Sequence, residues 1–234
     1  MLPSLFAATR GFAPRIMGTR QRAVSTLSSN PSIKVFDNPS SPVSYLLTYL
    51  DSSPPSPKLA IGTSTAIPPT PQSFSENRRF MEILNEVVAE YGHRDEDVIS
   101  QARALASPGG FNLGSGGSFF NRQRPGRGSS LKQGAGGGAG GSGAGGASAQ
   151  GGAGGANKGG WVHLSDRRNP PDFGRIAWPE DILASVEVNG EGRVVGKAQP
   201  SGTYRAVTKE GILGLSPFLR DKLVERLKRE ESAR

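Results

Sequence analysis

WVHLSDRRNPPDFGRIAWPEDILASVEV, residues Trp161 to Val188, is the densest run of aromatic, proline and paired acidic and basic residues in the chain. It follows directly on a glycine tract and opens the only long segment with both strand and helix signals, so it marks the start of the principal folded unit. Trp161 to Leu164 reads as a strand. Asn169-Pro170-Pro171 then forces an extended path, because each proline fixes its own torsion and pushes the preceding residue away from helix. Phe173, Ile176 and Trp178 fold back toward the core, and Ile182, Ala184, Val186 and Val188 alternate with Leu183, Ser185 and Glu187 as the next strand. Asn189-Gly190 is the best hairpin dipeptide in the chain, since both residues tolerate the positive torsions of a tight turn. Arg193 to Val195 returns, and Thr203 to Thr208 supplies a further strand. Ser216-Pro217 starts a helix, with a hydroxyl to cap it and a proline where no N–H is needed. Leu219, Leu223 and Leu227 with Val224 form its apolar stripe, and Glu225 can pair with Arg229 one turn on. Residues 161–234 are thus predicted to be a small α+β domain, an antiparallel sheet of three or four strands covered by one terminal helix.

Upstream of this unit the composition changes. Between Gly109 and Gly160 there are 22 glycines and not one acidic residue. Such a tract cannot bury enough apolar surface to offset the entropy of ordering its backbone, so residues 109–160 are predicted to be a disordered linker. That leaves roughly 75 residues on each side, near the lower limit for an independent core. At that size the halves need to pack on one another or on a partner.

The half before the linker carries two helix signals. Thr70-Pro71 is a capped start, after which Phe80, Leu84, Val87, Val88 and Tyr91 recur at helical spacing with Glu82, Glu86 and Glu90 opposite. Gly92 ends this helix through a left-handed cap. DEDVISQARALAS, Asp95 to Ser107, follows with acids at the positive end and a stripe of Val98, Ile99, Ala102, Leu105 and Ala106. Residues 58–108 are therefore predicted to be a helical hairpin region, with a brief strand over Lys58 to Thr65. In the Pro/Ser-rich segment 25–57, the apolar run Val43 to Leu50 fits either a two-turn helix or a buried strand, and Ser44 as a cap favours the helix. The expected fold is α+β: a small N-terminal helical hairpin joined by a long Gly-rich linker to a C-terminal antiparallel sheet with one terminal helix.

Residues 1–24 contain Arg10, Arg15, Arg20 and Arg22, interleaved with Leu2, Leu5, Phe6, Phe12 and Ile16, and no acid. This is the pattern of a mitochondrial presequence, and Arg22-Ala23-Val24 before Ser25 places a matrix-peptidase cut there. No apolar run approaches the roughly 18 residues that span a bilayer. The absence of cysteine excludes disulfides and thiolate metal sites and suits a matrix address. The formal charge of +8 lies mostly in this segment and in the linker, so the two folded halves together come to −1. A folded nucleic-acid-binding face normally concentrates basic charge, and near-neutral halves argue against one.

Three clusters invite a functional reading. His163, Asp166, Arg168, Asp172 and Arg175, with Arg167, surround the proline-rigid loop, where carboxylate and imidazole can do acid–base work while guanidinium clamps an anion. The alternative is an Asp–Arg hydrogen-bonded lock that pins an irregular loop. No metal, phosphate or nucleophile motif has its spacing here, which favours the lock. In that reading Asp172 and Arg175 hold the loop, and His163 and Arg168 are the pair left to test for function. In the linker, Phe119, Phe120, Arg122, Arg124 and Arg127 form an RNA-contact candidate, since aromatic and guanidinium planes stack on unpaired bases; the motif occurs once rather than repeatedly, and a soluble tether is the plainer reading. His93, Asp95 and Asp97 have metal-ligand chemistry, but the acids sit where a helix dipole favours them, and capping explains them. No cofactor is expected.

HLSDRRNPPDFGRIAWPEDI (163–182) and QPSGTYRAVTKEGILGLSPFLRDKLVERL (199–227) resemble a set of fungal mitochondrial proteins of unassigned function, and IGTSTAIPPTPQSF (61–74) is similar to their N-terminal half. The resemblance implies an address and no chemistry. The expected function is that of a non-enzymatic matrix accessory or assembly factor acting through an unknown protein partner. Its rivals are an RNA- or mitoribosome-associated protein using the basic linker and a small enzyme using the His163 to Arg175 loop.

Overall fold

A computed structural model describes residues 25–38, 41, 43–106, 159–172 and 175–233. The predicted presequence, nearly all of the predicted linker and the five linker residues proposed to touch RNA lie outside the described residues.

Five short strands come first: β1 (Ser25–Thr26), β2 (Lys34–Asp37), β3 (Tyr45–Thr48), β4 (Gly62–Ser64) and β5 (Phe74–Glu76). They form one antiparallel sheet in chain order. Val35 opposite Leu47 turns to the main core, whereas Phe36 opposite Leu46 joins Ala60 in a separate small cluster. Gly62 is required here, because a Cβ at that position would lie 2.2 Å from the Ser75 carbonyl oxygen.

Two helices follow, α1 (Arg78–Tyr91) and α2 (Glu96–Ala106), separated by a single 3-10 turn over Gly92–Arg94. Asn77 caps α1: its side chain accepts from the Arg79 amide at 3.0 Å and donates to the carbonyls of Pro57, Lys58 and Ala60. The Thr70-Pro71 device therefore makes a turn before β5 rather than a helix start. Gly92 lies at φ −55, so no left-handed cap ends α1; a Cβ there would press on Ala198 at 3.1 Å, and close packing is what the glycine serves. Helix α2 ends beside the start of the C-terminal half, with Leu105 Cδ2 3.3 Å from where a Cβ of Gly160 would stand.

The C-terminal half builds β6 (Gly160–Ser165), β7 (Ile182–Val188) and β8 (Val194–Pro200) into a three-stranded antiparallel sheet. A small hairpin of β9 (Val207–Thr208) and β10 (Gly211–Ile212) and helix α3 (Pro217–Ser232) complete it. Ser216 caps α3 as the sequence predicts, accepting from the Leu219 amide at 3.2 Å. The buried stripe Leu219, Leu223 and Leu227 packs against α1 rather than over the C-terminal hairpin, and α1 also packs on β8.

These observations overturn the expected fold class. The N-terminal half is not a small helical hairpin: a five-stranded sheet precedes the two helices, and three antiparallel sheets of ten strands in all make up a large part of the described fold. Val43 to Leu50 in particular holds a strand rather than a helix. Leu46 and Leu47 are buried on opposite faces of the sheet, which removes the polar alternation that identifies a strand. The halves also do not stand apart. One hydrophobic cluster runs from Leu27 and Ile33 through Phe80, Leu84 and Val88 to Leu164, Val186, Leu219 and Leu227. Polar bonds cross the same boundary, including Asn30 Nδ2 to the Leu213 carbonyl at 3.0 Å and the Ala206 amide to Glu76 Oε1 at 2.8 Å.

Candidate functional site

The loop between β6 and β7 contains the densest buried charge among the described residues. Asp166 and Asp181 are both buried, and the Arg168 side chain between them is 3 % exposed. A lone buried ion costs several kcal/mol, so such a group persists only where its bonds are satisfied. Arg168 Nε donates to Asp181 Oδ1 at 2.8 Å, Nη1 to the Ala206 carbonyl at 3.1 Å, and Nη2 to the carbonyls of Glu180 and Arg205 at 3.0 and 2.8 Å. Asp166 Oδ1 accepts from the amides of Arg168 and Gly214, each at 2.8 Å, while Oδ2 accepts from the Tyr204 hydroxyl at 2.6 Å. The guanidinium also lies over the Tyr204 ring, 5.4 Å from its centroid. Burial first, and then the Asp166 charge, push the Tyr204 phenol well above its ordinary value, so it stays protonated and keeps donating. At Gly214 a Cβ would stand 2.9 Å from the Arg168 amide nitrogen, so only glycine lets the chain approach the aspartate this closely.

Two further ties bind this loop to the helices. Arg167 grips Asp97 as a fork, Nε to Oδ2 at 2.9 Å and Nη2 to Oδ1 at 3.0 Å. Buried Asp95 caps α2 by accepting from the Asp97 amide at 3.0 Å, and its other oxygen accepts from the Ser216 hydroxyl. Asp95 and Asp97 thus do the work of caps and an ion pair. His93 is not drawn into their network, and its Nδ1 is buried without a hydrogen-bond partner.

The structure divides the sequence-predicted site. It brings Asp166 and Arg168 together and leaves the others apart. His163 sits across from Ser185 on the paired strand, with Nδ1 2.9 Å from Ser185 Oγ, and burial lowers its pKa. Asp172 and Arg175 are 89 % and 79 % exposed, with 3.9 Å between their charged atoms. A network pins the loop, but Arg168 is its hub, and Asp172 and Arg175 take no part in it. Reasoning from the sequence missed Asp181, Tyr204 and Gly214, which join the cluster from up to 48 residues away. Only the buried lock itself reveals them.

Concave surface lies elsewhere. An open groove of about 290 Å³ between α1 and α3 is lined by Glu86, Glu90, Lys222, Glu225, Arg226 and Arg229. Its charges pair among themselves, as in Arg226 to Glu86 at 2.9 Å and Arg229 to Glu225 at 3.0 Å. Among the described residues no group of three or more acidic or histidine side chains could hold a metal ion, and no helix is long and apolar enough to cross a membrane. No family model, curated protein or solved structure matches the chain.

Proposed function

We propose that this chain is a non-enzymatic mitochondrial matrix protein, an accessory or assembly factor that works by binding another protein. The observation that carries the reading is the closure of the Asp166, Arg168, Asp181 and Tyr204 cluster. Four of the five guanidinium N–H groups are spent on the protein's own oxygens. Both oxygens of Asp166 are likewise engaged, and the phenol is committed. Acid, base and cation in this loop therefore hold the fold together rather than reaching for a substrate. The acid-free, arginine-bearing composition of residues 1–24 supports the address.

Affinity purification from mitochondria, with and without nuclease, tests the proposal. A protein partner that survives nuclease is the expected result. A partner lost on nuclease treatment would mean that contact runs through RNA instead. For the address, residues 1–30 fused to a reporter should carry it into the matrix, and replacing Arg10, Arg15, Arg20 and Arg22 with Glu should leave it in the cytosol.

A further inference from the structure

The turn between β7 and β8 holds one side-chain amide in a fixed set of bonds. Asn189 Oδ1 accepts from two main-chain amides, those of Glu191 at 3.1 Å and Arg193 at 2.8 Å. The Asn189 amide donates to the Arg193 carbonyl at 2.9 Å and the Gly192 amide to the Asn189 carbonyl at 3.0 Å, which closes the turn around it. The tip of the turn is seated as well, since a Cβ on Gly192 would stand 2.7 Å from the Ala102 carbonyl oxygen of α2. Two groups take no part in these bonds. Neither the Gly190 amide nor Asn189 Nδ2 has a hydrogen-bond partner among the described residues, and both residues are half-buried, within reach of water.

This arrangement is what attack of a main-chain nitrogen on the neighbouring carboxamide requires. A side-chain oxygen bonded to the amide two residues on lays its carbon, Cγ, beside the intervening Gly190 nitrogen, so the reacting atoms are held together before they react. Glycine at 190 puts no side chain in the way. The amides of Glu191 and Arg193 draw charge onto Oδ1 and stabilise the oxyanion that forms there. No other asparagine among the described residues combines these features. Asn30, Asn38 and Asn169 each precede a proline, whose nitrogen carries no proton to lose. Asn85 lies inside α1, where the next amide is spent on the helix. Asn77 has its Nδ2 bonded to three carbonyls.

The structure assigns Asn189 as a site of spontaneous deamidation. The Gly190 amide gives its proton to water and its nitrogen bonds to Cγ. The Cγ–Nδ2 bond then breaks as that nitrogen takes up a proton and leaves as ammonia. Water opens the resulting succinimide at either carbonyl. Opening at Cγ leaves an aspartate, whose carboxylate accepts the same two amides in charge-assisted bonds. Opening at the main-chain carbonyl leaves an isoaspartate, with one more carbon in the main chain and a free carboxylate where the Asn189 carbonyl stood. The added carbon shifts Gly192 against its tight seat on α2.

Incubation of the full chain at neutral pH, natively and in urea, with tryptic mapping at intervals, tests this. The peptide Ile176 to Arg193 has Asn189 as its only asparagine, so its gain in mass on exchange of an amide for an acid reads the conversion. The native chain should convert at least as fast as the chain in urea, and an isoaspartyl methyltransferase should label the product. Gly190 lies outside the positive-φ region, so Gly190→Ala should fold as the parent does, and its added Cβ should slow the native conversion severalfold. Slower conversion in the native chain than in urea overturns the inference, because the turn would then shield the amide. So does a native rate that Gly190→Ala leaves unchanged. The isoaspartyl fraction, separated by ion exchange, should melt below the Asn189→Asp variant, whose main chain is unaltered. An equal midpoint would overturn the displacement of Gly192.

Discussion

Replacing Arg168 with alanine leaves Asp166 and Asp181 buried without their cation, and breaking a buried pair in this way costs about 3–5 kcal/mol. Against the ~5–15 kcal/mol that separates a folded domain from its unfolded chain, that loss is severe. Urea denaturation of Arg168→Ala should show a much lower midpoint, whereas Asp172→Ala and Arg175→Ala should leave it unchanged within error. The sequence suggests the opposite assignment, because local spacing cannot distinguish which arginine of DRRNPPDFGR turns inward. That choice is made by Glu180, Arg205 and Ala206, whose carbonyls gather around one guanidinium. A second test at this scale uses pH. Burial holds the His163 pKa below its ordinary value of 6.5, so the unfolded chain takes up the proton first. The stability linked to His163 is complete above pH 6.5 and is lost as the pH falls from there through the lowered folded value. Thermal midpoints measured from pH 7.5 downward should therefore fall less steeply for His163→Gln than for the parent.

Among the elements, those with strong periodicity were readable. The stripe of α1, the span of α2, strands β6 and β7 and the Ser216-Pro217 start of α3 all follow from spacing and caps. The N-terminal strands were not, for a physical reason: they run two to four residues each, and β3 is buried on both faces. Too few residues alternate to reveal a period of two. The hairpin after β7 stands where Asn189-Gly190 predicts it, but the positive φ falls on Gly192 rather than on Gly190. The junction of α2 and β6 yields a prediction of its own. Leu105 and Gly160 are neighbours, so the two ends of the connection between them stand at one place. Removing Gly134 to Ala156 shortens that connection without moving its ends. Loop-closure entropy then changes by only ~0.5 kcal/mol, in the stabilising direction. The thermal midpoint should stay the same or rise slightly, and a large drop would mean that the excised residues support the core.

At the scale of the whole molecule, the shared core makes the two halves one cooperative unit. Residues 25–106 alone, or 159–233 alone, should lack near-UV circular dichroism, and mixing the two fragments should restore it. Fragments that fold separately would contradict the continuous cluster from Leu27 to Leu227. If the proposed matrix address holds, N-terminal sequencing of the protein from mitochondria should begin at Ser25, after Arg22-Ala23-Val24. The order in which the halves are made adds a consequence. Helix α1 buries Phe80, Ile83, Leu84, Val87 and Val88, and it packs against β8 and α3 near the other end of the chain. A ribosome working at roughly 5–20 residues per second needs about 6–25 s to add the 128 residues after Ala106. Until β8 and then α3 are made, the part of the apolar face of α1 that they cover is bare. A nascent chain stalled before α3 should accordingly bind a general chaperone such as an Hsp70, and release it once Leu219, Leu223 and Leu227 emerge to close over the helix.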